Sequence, residues 1–215
     1  MLEFINSFLD LIYKKKCYFC RSSKEAVKMC SKCYDEMDFL PVQINRIVEG
    51  KNVYCAGVYN KHLQKLIRGL KYHGQRDLAF YLARFMFEYF EKITDKRDFE
   101  VVPVPIYPTR EKKRKYNHMN LVGEEFCKLS SCTLNKNLIQ RIKDTKPQYK
   151  LKRSQRLINL SNAFKVNNEN YTGKTILLID DICTTGSTLE EMIKELQKNG
   201  IDDIICLAGT TPFGD

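Results

Sequence analysis

Apolar residues return along this chain in two rhythms, and the rhythms alternate. After Asn60, Leu63, Leu66, Ile67 and Leu70 recur at threes and fours, the spacing of one helix face, and a second helical pattern covers about 76–91, with Gly69 and Gly74 as punctuation. Residues 53–59 alternate as a half-buried strand does. Beyond them the pattern predicts strands at 99–104, 133–141, 174–179 and 203–208 and helices at 117–128 and 187–198. Residues 143–156 are polar and cationic and read as a long surface loop. Strands alternating with helices require crossover connections, which predicts an α/β fold with a parallel sheet covered by helices on both faces. Residues 1–13 are apolar at helical spacing, interrupted by Glu3 and Asp10, and are expected to form a short amphipathic helix docked on the domain.

A length of 215 residues supports one substantial core and a small accessory module. The expected division is an N-terminal module over 1–45 and a main domain over 46–215. The formal charge of +10 points to an anionic partner, either nucleic acid, a phosphate-rich metabolite or an anionic membrane surface, and does not choose among them. In the N-terminal segment the basic run Lys14-Lys15-Lys16 follows the apolar part, the reverse of a signal peptide, and no stretch reaches the ~20 apolar residues of a membrane span. Nine cysteines without a secretory signal suit a reducing, cytoplasmic setting. Four of them, Cys17, Cys20, Cys30 and Cys33, form two Cys-x-x-Cys pairs, the spacing of a closed four-thiolate structural zinc finger. Cys206 falls in a predicted strand and Cys183 in a turn, both as packing residues, and His62, His73 and His118 are scattered without metal spacing.

The chemistry concentrates after the apolar run 175–179. Asp180 and Asp181 follow it at the carboxyl end of a buried parallel strand, where open α/β sheets place their ligand crevice. Adjacent carboxylates at such a point need partners, which ligand hydroxyls or a cation would supply. Thr184, Thr185, Gly186, Ser187 and Thr188 then bring hydroxyls and backbone N–H groups to a predicted helix N-terminus, a cradle for phosphate. Acids suited to a diol beside a phosphate cradle describe a ribose 5-phosphate site. The triplet Gly173-Lys174-Thr175 is not a P-loop, because Asn168 stands in place of its first glycine and the triplet precedes its strand.

The string 176–188 resembles the fingerprint of type I phosphoribosyltransferases. The resemblance implies that Asp180 and Asp181 hold the ribose 2′ and 3′ hydroxyls and that Thr184 to Thr188 bind the 5-phosphate of 5-phosphoribosyl-1-pyrophosphate, with magnesium on the pyrophosphate. Upstream, Val101-Val102-Pro103-Val104-Pro105 leads into the basic segment 109–117, read as a loop reaching the same crevice. Departing pyrophosphate needs positive charge, and Arg110 and Arg114 are the candidates. This stretch resembles the ComF family of phosphoribosyltransferase-like proteins. So do Leu70-Lys71-Tyr72-His73-Gly74, the segment 148–164 with Arg153, Arg156, Asn159, Ala163 and Phe164, and the N-terminal finger. Where that family carries Arg-Gly-Phe-Asn-Gln, this chain reads Arg114-Lys115-Tyr116-Asn117-His118, so Lys115 replaces a glycine suited to positive φ. In type I phosphoribosyltransferases a mobile loop closes over the substrate, and that resemblance implies the same part for the 143–156 loop.

Two functions follow as expectations. One is transfer of a phosphoribosyl group to an acceptor that no residue identifies. The other, implied by the ComF resemblance, is a competence factor for DNA uptake that binds single-stranded DNA and works with a partner helicase. Tyr72, Tyr107, Tyr116 and Tyr149 lie among the basic segments and would stack on bases.

Overall fold

The computed structural model describes residues 16–95, 98–145 and 159–212. The helix expected over 1–13 and most of the loop expected over 143–156, with Tyr149, Arg153 and Arg156, lie outside them.

A short helix α1 (Ser31–Asp35) follows the first cysteines; then come strands β1 (Arg46–Val48) and β2 (Lys51–Val58) and helices α2 (Lys61–Tyr72) and α3 (Leu78–Phe90). Next are β3 (Phe99–Pro103), α4 (Pro108–Arg114), α5 (His118–Ser130), β4 (Thr133–Leu134), β5 (Ile139–Arg141) and β6 (Phe164–Val166). The chain ends in β7 (Thr175–Ile182), α6 (Ser187–Lys198) and β8 (Ile204–Thr211). Six strands form one sheet in the order β1-β2-β8-β7-β3-β4, parallel except for β1. β7 sits in the interior, paired with β8 on one side and β3 on the other.

Because side chains alternate along a strand, β7 feeds two cores. Leu177 and Ile179 enter one, built with α2, α3 and α5; Ile176 and Leu178 enter the other, built with α6 and the β5–β6 pair. The second face is thus covered by one helix and a two-stranded antiparallel sheet rather than by helices alone. This small sheet arises where a single strand over 133–141 was expected. The Asn135 carboxamide oxygen accepts the N–H groups of Asn137 and Leu138, both at 2.9 Å, and its nitrogen donates to Glu100 Oε1 at 2.6 Å. That side-chain turn ends β4 and sends the chain away from the main sheet.

The basic segment after β3 also differs from expectation: 108–114 is helical. Pro108 opens the helix, Glu111 lies in its first turn and Lys112, Lys113 and Arg114 in its last, as the helix dipole favours. With no buried residue it offers no apolar rhythm to read. The cysteine segment rests on the first core, where Cys17, Phe19, Met29, Cys30 and Cys33 join Leu63, Leu66 and Leu70. Gly69 permits the approach, since a Cβ there would stand 2.5 Å from Leu78 Cδ1 and 3.3 Å from Tyr18 Cε1.

Candidate ribose-phosphate site

The apolar run 175–179 is almost fully buried, and β7 continues three residues beyond the expected end, so both acids lie inside the strand. Strand alternation therefore turns them to opposite faces. Asp180 is half-buried and faces the turn that follows, lining with residues 182–189 a concavity of about 270 Å³, open solvent at its mouth included. In that turn Gly186 has φ +80° and caps α6, and a Cβ added there would come within 3.1 Å of Val48 Cγ2. Thr185 Oγ1 lies 2.8 Å from Ser187 Oγ. The first N–H groups of a helix have no intrahelical acceptor, so hydroxyls, backbone donors and the positive dipole end converge on one small space. Ser187 N–H leans toward Thr185 Oγ1 at 3.4 Å.

Burial and the neighbouring Asp181 push the Asp180 carboxyl up to about 8, against the pull of Lys71. Asp181 is held in the opposite state. Its carboxylate is buried on the α2/α5 side, where Oδ2 accepts from Lys71 Nζ at 2.6 Å and from His118 Nε2 at 2.8 Å. Burial alone would raise this carboxyl, but Lys71 and His118 hold it well below the usual carboxylate range. The imidazole is kept below its ordinary pKa by burial, against Asp181. Its Nδ1 lies 3.2 Å from Arg114 Nη1, and an acceptor at Nδ1 with a donor at Nε2 is the neutral Nε2–H tautomer, as this network assigns it. Asp181 thus finds its partners inside the protein, and Asp180 is the acid left facing the turn.

Neither basic candidate lines the turn. Arg110 donates to the Thr145 carbonyl and lies 3.8 Å from Asp144 Oδ1. Arg114 contacts His118 and sits 5.4 Å from the centre of the exposed Tyr72 ring. Lys115 takes φ +67°, ψ 8° as the C-cap of α4, so the left-handed turn that favours glycine is made here by lysine. Its carbonyl accepts from Arg76 Nη2 at 3.3 Å.

A phosphoribosyl transferase domain model matches residues 130–208, which hold the acids, the turn and α6. Competence protein F of Haemophilus influenzae is 28% identical over 87% of this chain and 86% of its own length. DNA utilization protein YhgH of Salmonella typhi is 25% identical over 86% and 85%. Competence protein ComFC of Bacillus subtilis is 28% identical over 71% of this chain and 59% of its own. Over most of its length the chain is similar to these competence and DNA utilization proteins, consistent with the ComF family.

In this ComF-like chain the four cysteines expected to act together do converge. The Sγ atoms of Cys17, Cys20, Cys30 and Cys33 all lie within 4.8 Å of one another, with Cys20 and Cys30 at 3.7 Å. Four thiolates at ~2.3 Å around zinc stand about 3.8 Å apart, so the cluster could hold a metal such as zinc. Cys17 Sγ accepts the N–H groups of Phe19 at 3.4 Å and Cys30 at 3.5 Å. Burial raises the Cys17 thiol, but such N–H groups outweigh it and bring it down to about 6. Cys183 and Cys206 are buried, as expected of packing residues. Of the scattered histidines, His62 stacks on Phe19 and lies 3.1 Å from Glu36, and His73 Nδ1 lies 2.8 Å from Tyr18 Oη. His118 and Lys71 are the site neighbours that residue spacing does not reveal, because 63 positions separate His118 from Asp181. Lys71 does lie in the Leu70–Gly74 stretch that resembles the ComF family. No helix among the described residues is long and apolar enough to cross a membrane.

Proposed function

We propose that this protein binds 5-phosphoribosyl-1-pyrophosphate or a related ribose phosphate and transfers the phosphoribosyl group. The observation that carries the proposal is the convergence of Asp180 with the hydroxyls and helix start of residues 184–188 on one concavity. The 5-phosphate would sit on the turn, with Thr184, Thr185, Gly186, Ser187 and Thr188 as its donors, and the sugar hydroxyls would face Asp180. A ligand hydroxyl or cation at Asp180 would favour its ionised form, the state that burial and Asp181 now oppose. Asp181, fixed by Lys71 and His118, would orient the strand end. Arg110 would neutralise pyrophosphate, and Arg114 would act through His118 as a positioning residue. Magnesium would ride on the pyrophosphate, since Mg²⁺ commonly binds through substrate phosphates and one or two carboxylates, and Asp180 is the carboxylate on this face. Zinc in the four-cysteine cluster would be structural, and the thiol-rich chain would work in the cytoplasm.

The names of the relatives, competence and DNA utilization proteins, favour a second function in handling DNA, which we read as binding of single-stranded DNA during uptake with a helicase as partner. Paired cations and rings support it: Arg76 lies 4.7 Å from the Tyr116 ring centre, and Lys65 lies 5.3 Å from that of Tyr18. Titration calorimetry with the sugar diphosphate, ribose 5-phosphate and single-stranded DNA, on wild type and Asp180→Asn, separates the two. The first function predicts saturable sugar-phosphate binding that Asp180→Asn abolishes, and wild-type protein binding neither sugar phosphate would refute it. The second predicts DNA affinity that falls steeply with salt, and affinity indifferent to salt would refute it.

A further inference from the structure

One charged side chain outside the acids and the turn is buried with a donor unused. Arg141 is the inward end of β5, whose burial runs buried, exposed, buried, and its residue is only 8% exposed. Its guanidinium lies over Phe164, 5.6 Å from the ring centre, and one Nη donates to Thr145 Oγ1. Its Nε–H has no hydrogen-bond partner among the described residues. Arg110, arriving from α4, donates to the carbonyl of the same Thr145. Two guanidinium groups from separate elements therefore converge on one neutral residue. The acid beside them is Asp144, 3.8 Å from Arg110 and with 54% of its side chain exposed.

This cluster shares the face of β7 that carries Asp180. Ile139 and Phe164, which bracket Arg141 in the small sheet, pack in the same core as Ile176 and Leu178, and Asp180 continues that alternation. Asp180 also acts on Arg141 electrostatically: burial and Arg110 lower the guanidinium to about 10, with Asp180 and Asp144 opposing. A purely structural role explains the arrangement poorly. An unused buried donor costs about 1–3 kcal/mol, and a ring contact returns about 0.5–2 kcal/mol, before any repulsion between the two cations. A planar guanidinium with free N–H groups beside a second one is the usual receptor for phosphate oxygens.

We propose that Arg141, seconded by Arg110, is an oxyanion subsite across Asp180 from the turn, and that it selects ligands carrying a second anionic group beyond the ribose 5-phosphate. The group it takes is a phosphate or diphosphate, reaching the site either on the sugar or as free pyrophosphate. This rests on the ribose-phosphate proposal above.

The test measures binding of 5-phosphoribosyl-1-pyrophosphate, ribose 5-phosphate and inorganic pyrophosphate, all with magnesium, to wild type, Arg141→Gln and Arg141→Lys. Arg141→Gln should weaken the sugar diphosphate and free pyrophosphate at least tenfold and leave ribose 5-phosphate within twofold. Arg141→Lys, keeping charge but not the fork, should fall between. Equal losses for all three ligands, or none for any, would overturn the proposal and leave Arg141 a packing residue. If Arg141→Gln fails to fold by circular dichroism, Arg141→Lys decides alone: weakened binding of the sugar diphosphate and pyrophosphate with ribose 5-phosphate within twofold supports the subsite, and equal losses for all three or none for any overturn it. Wild-type protein that binds neither sugar phosphate sinks the ribose-phosphate proposal instead, and the pyrophosphate arm then decides the arginine subsite by itself.

Discussion

Replacing Lys71 by methionine removes one of the two partners of Asp181 while nearly conserving volume. The ammonium lies 2.6 Å from Oδ2, with 20% of the lysine side chain and 5% of the aspartate side chain exposed. At an effective dielectric of ~20 the gross attraction across that distance is about 6 kcal/mol, of which desolvation of both ions cancels a large part. Stripping one partner from a buried ion pair typically costs about 3–5 kcal/mol. His118 remains on the same oxygen and Lys71 is not wholly buried, so the expected loss is about 2–3 kcal/mol at pH 7.5, a melting shift of about 5–10 °C for a chain of this size. The pH dependence gives the sharper check. In wild type Asp181 lies below its unfolded value, so its contribution is present above about pH 4 and disappears only as the pH falls further. With burial the largest influence on this carboxyl and only His118 left to oppose it, loss of Lys71 is expected to raise the folded carboxyl above the unfolded value, so that stability is lost as pH rises through it. The penalty should therefore shrink by at least about 1 kcal/mol between pH 7.5 and 5. Protonation of His118, no longer opposed by Lys71, works in the same direction. Urea melts at both pH values, with Asp181→Asn and the double variant closing a cycle, measure this. A cost below about 1 kcal/mol that is flat with pH, and no recovery in the double variant, would refute the network.

Asp180→Asn should stabilise the ligand-free protein at pH 8, by about 0.5–2 kcal/mol in a melt, while abolishing ribose-phosphate binding. Its folded pKa, raised to about 8, means the native carboxyl resists ionisation, a burden that grows from pH 4 to 8 and that the amide removes. Lys115→Gly should raise stability by up to about 1 kcal/mol in urea, because lysine at φ +67° meets the left-handed penalty and glycine does not. Gly186→Ala should cost about 1–2 kcal/mol and weaken phosphate binding in the same titration, since φ +80° and Val48 both oppose a Cβ. Zinc should co-purify with the wild type at one per chain by metal analysis. Cys20→Ser or chelation should lower the melting temperature by at least about 5 °C, because Cys17, Cys30 and Cys33 share the core under α2.

How much of this was legible in the sequence depends on whether the cause was local. The 175–179 run, the hydroxyl-rich turn and the helix over 187–198 are contiguous, and each announces itself through burial, turn chemistry or helical rhythm. The cysteine pairs do so through spacing. Helix α4 does not, because its seven residues bury nothing and leave only charge to read. The split of 133–141 turns on one asparagine whose carboxamide finds Glu100 across 35 residues. Lys71, His118 and Arg141 are of the same kind, ordinary residues until β7 brings them to its two faces.

The adjacency of Asp180 and Asp181 is the instructive case. In sequence the pair looks like one doubly charged group awaiting one ligand. Once β7 is extended through both, period-two geometry separates them: Asp181 goes to the helical side, where Lys71 and His118 keep it ionised, and Asp180 goes to the side of the turn and Arg141. Two neighbouring carboxyls are driven to opposite protonation preferences by this division, one anchored and one poised. A ligand need then supply partners for Asp180 alone. Every contact that fixes Asp181 is therefore available to hold the strand end still while the other acid meets the sugar.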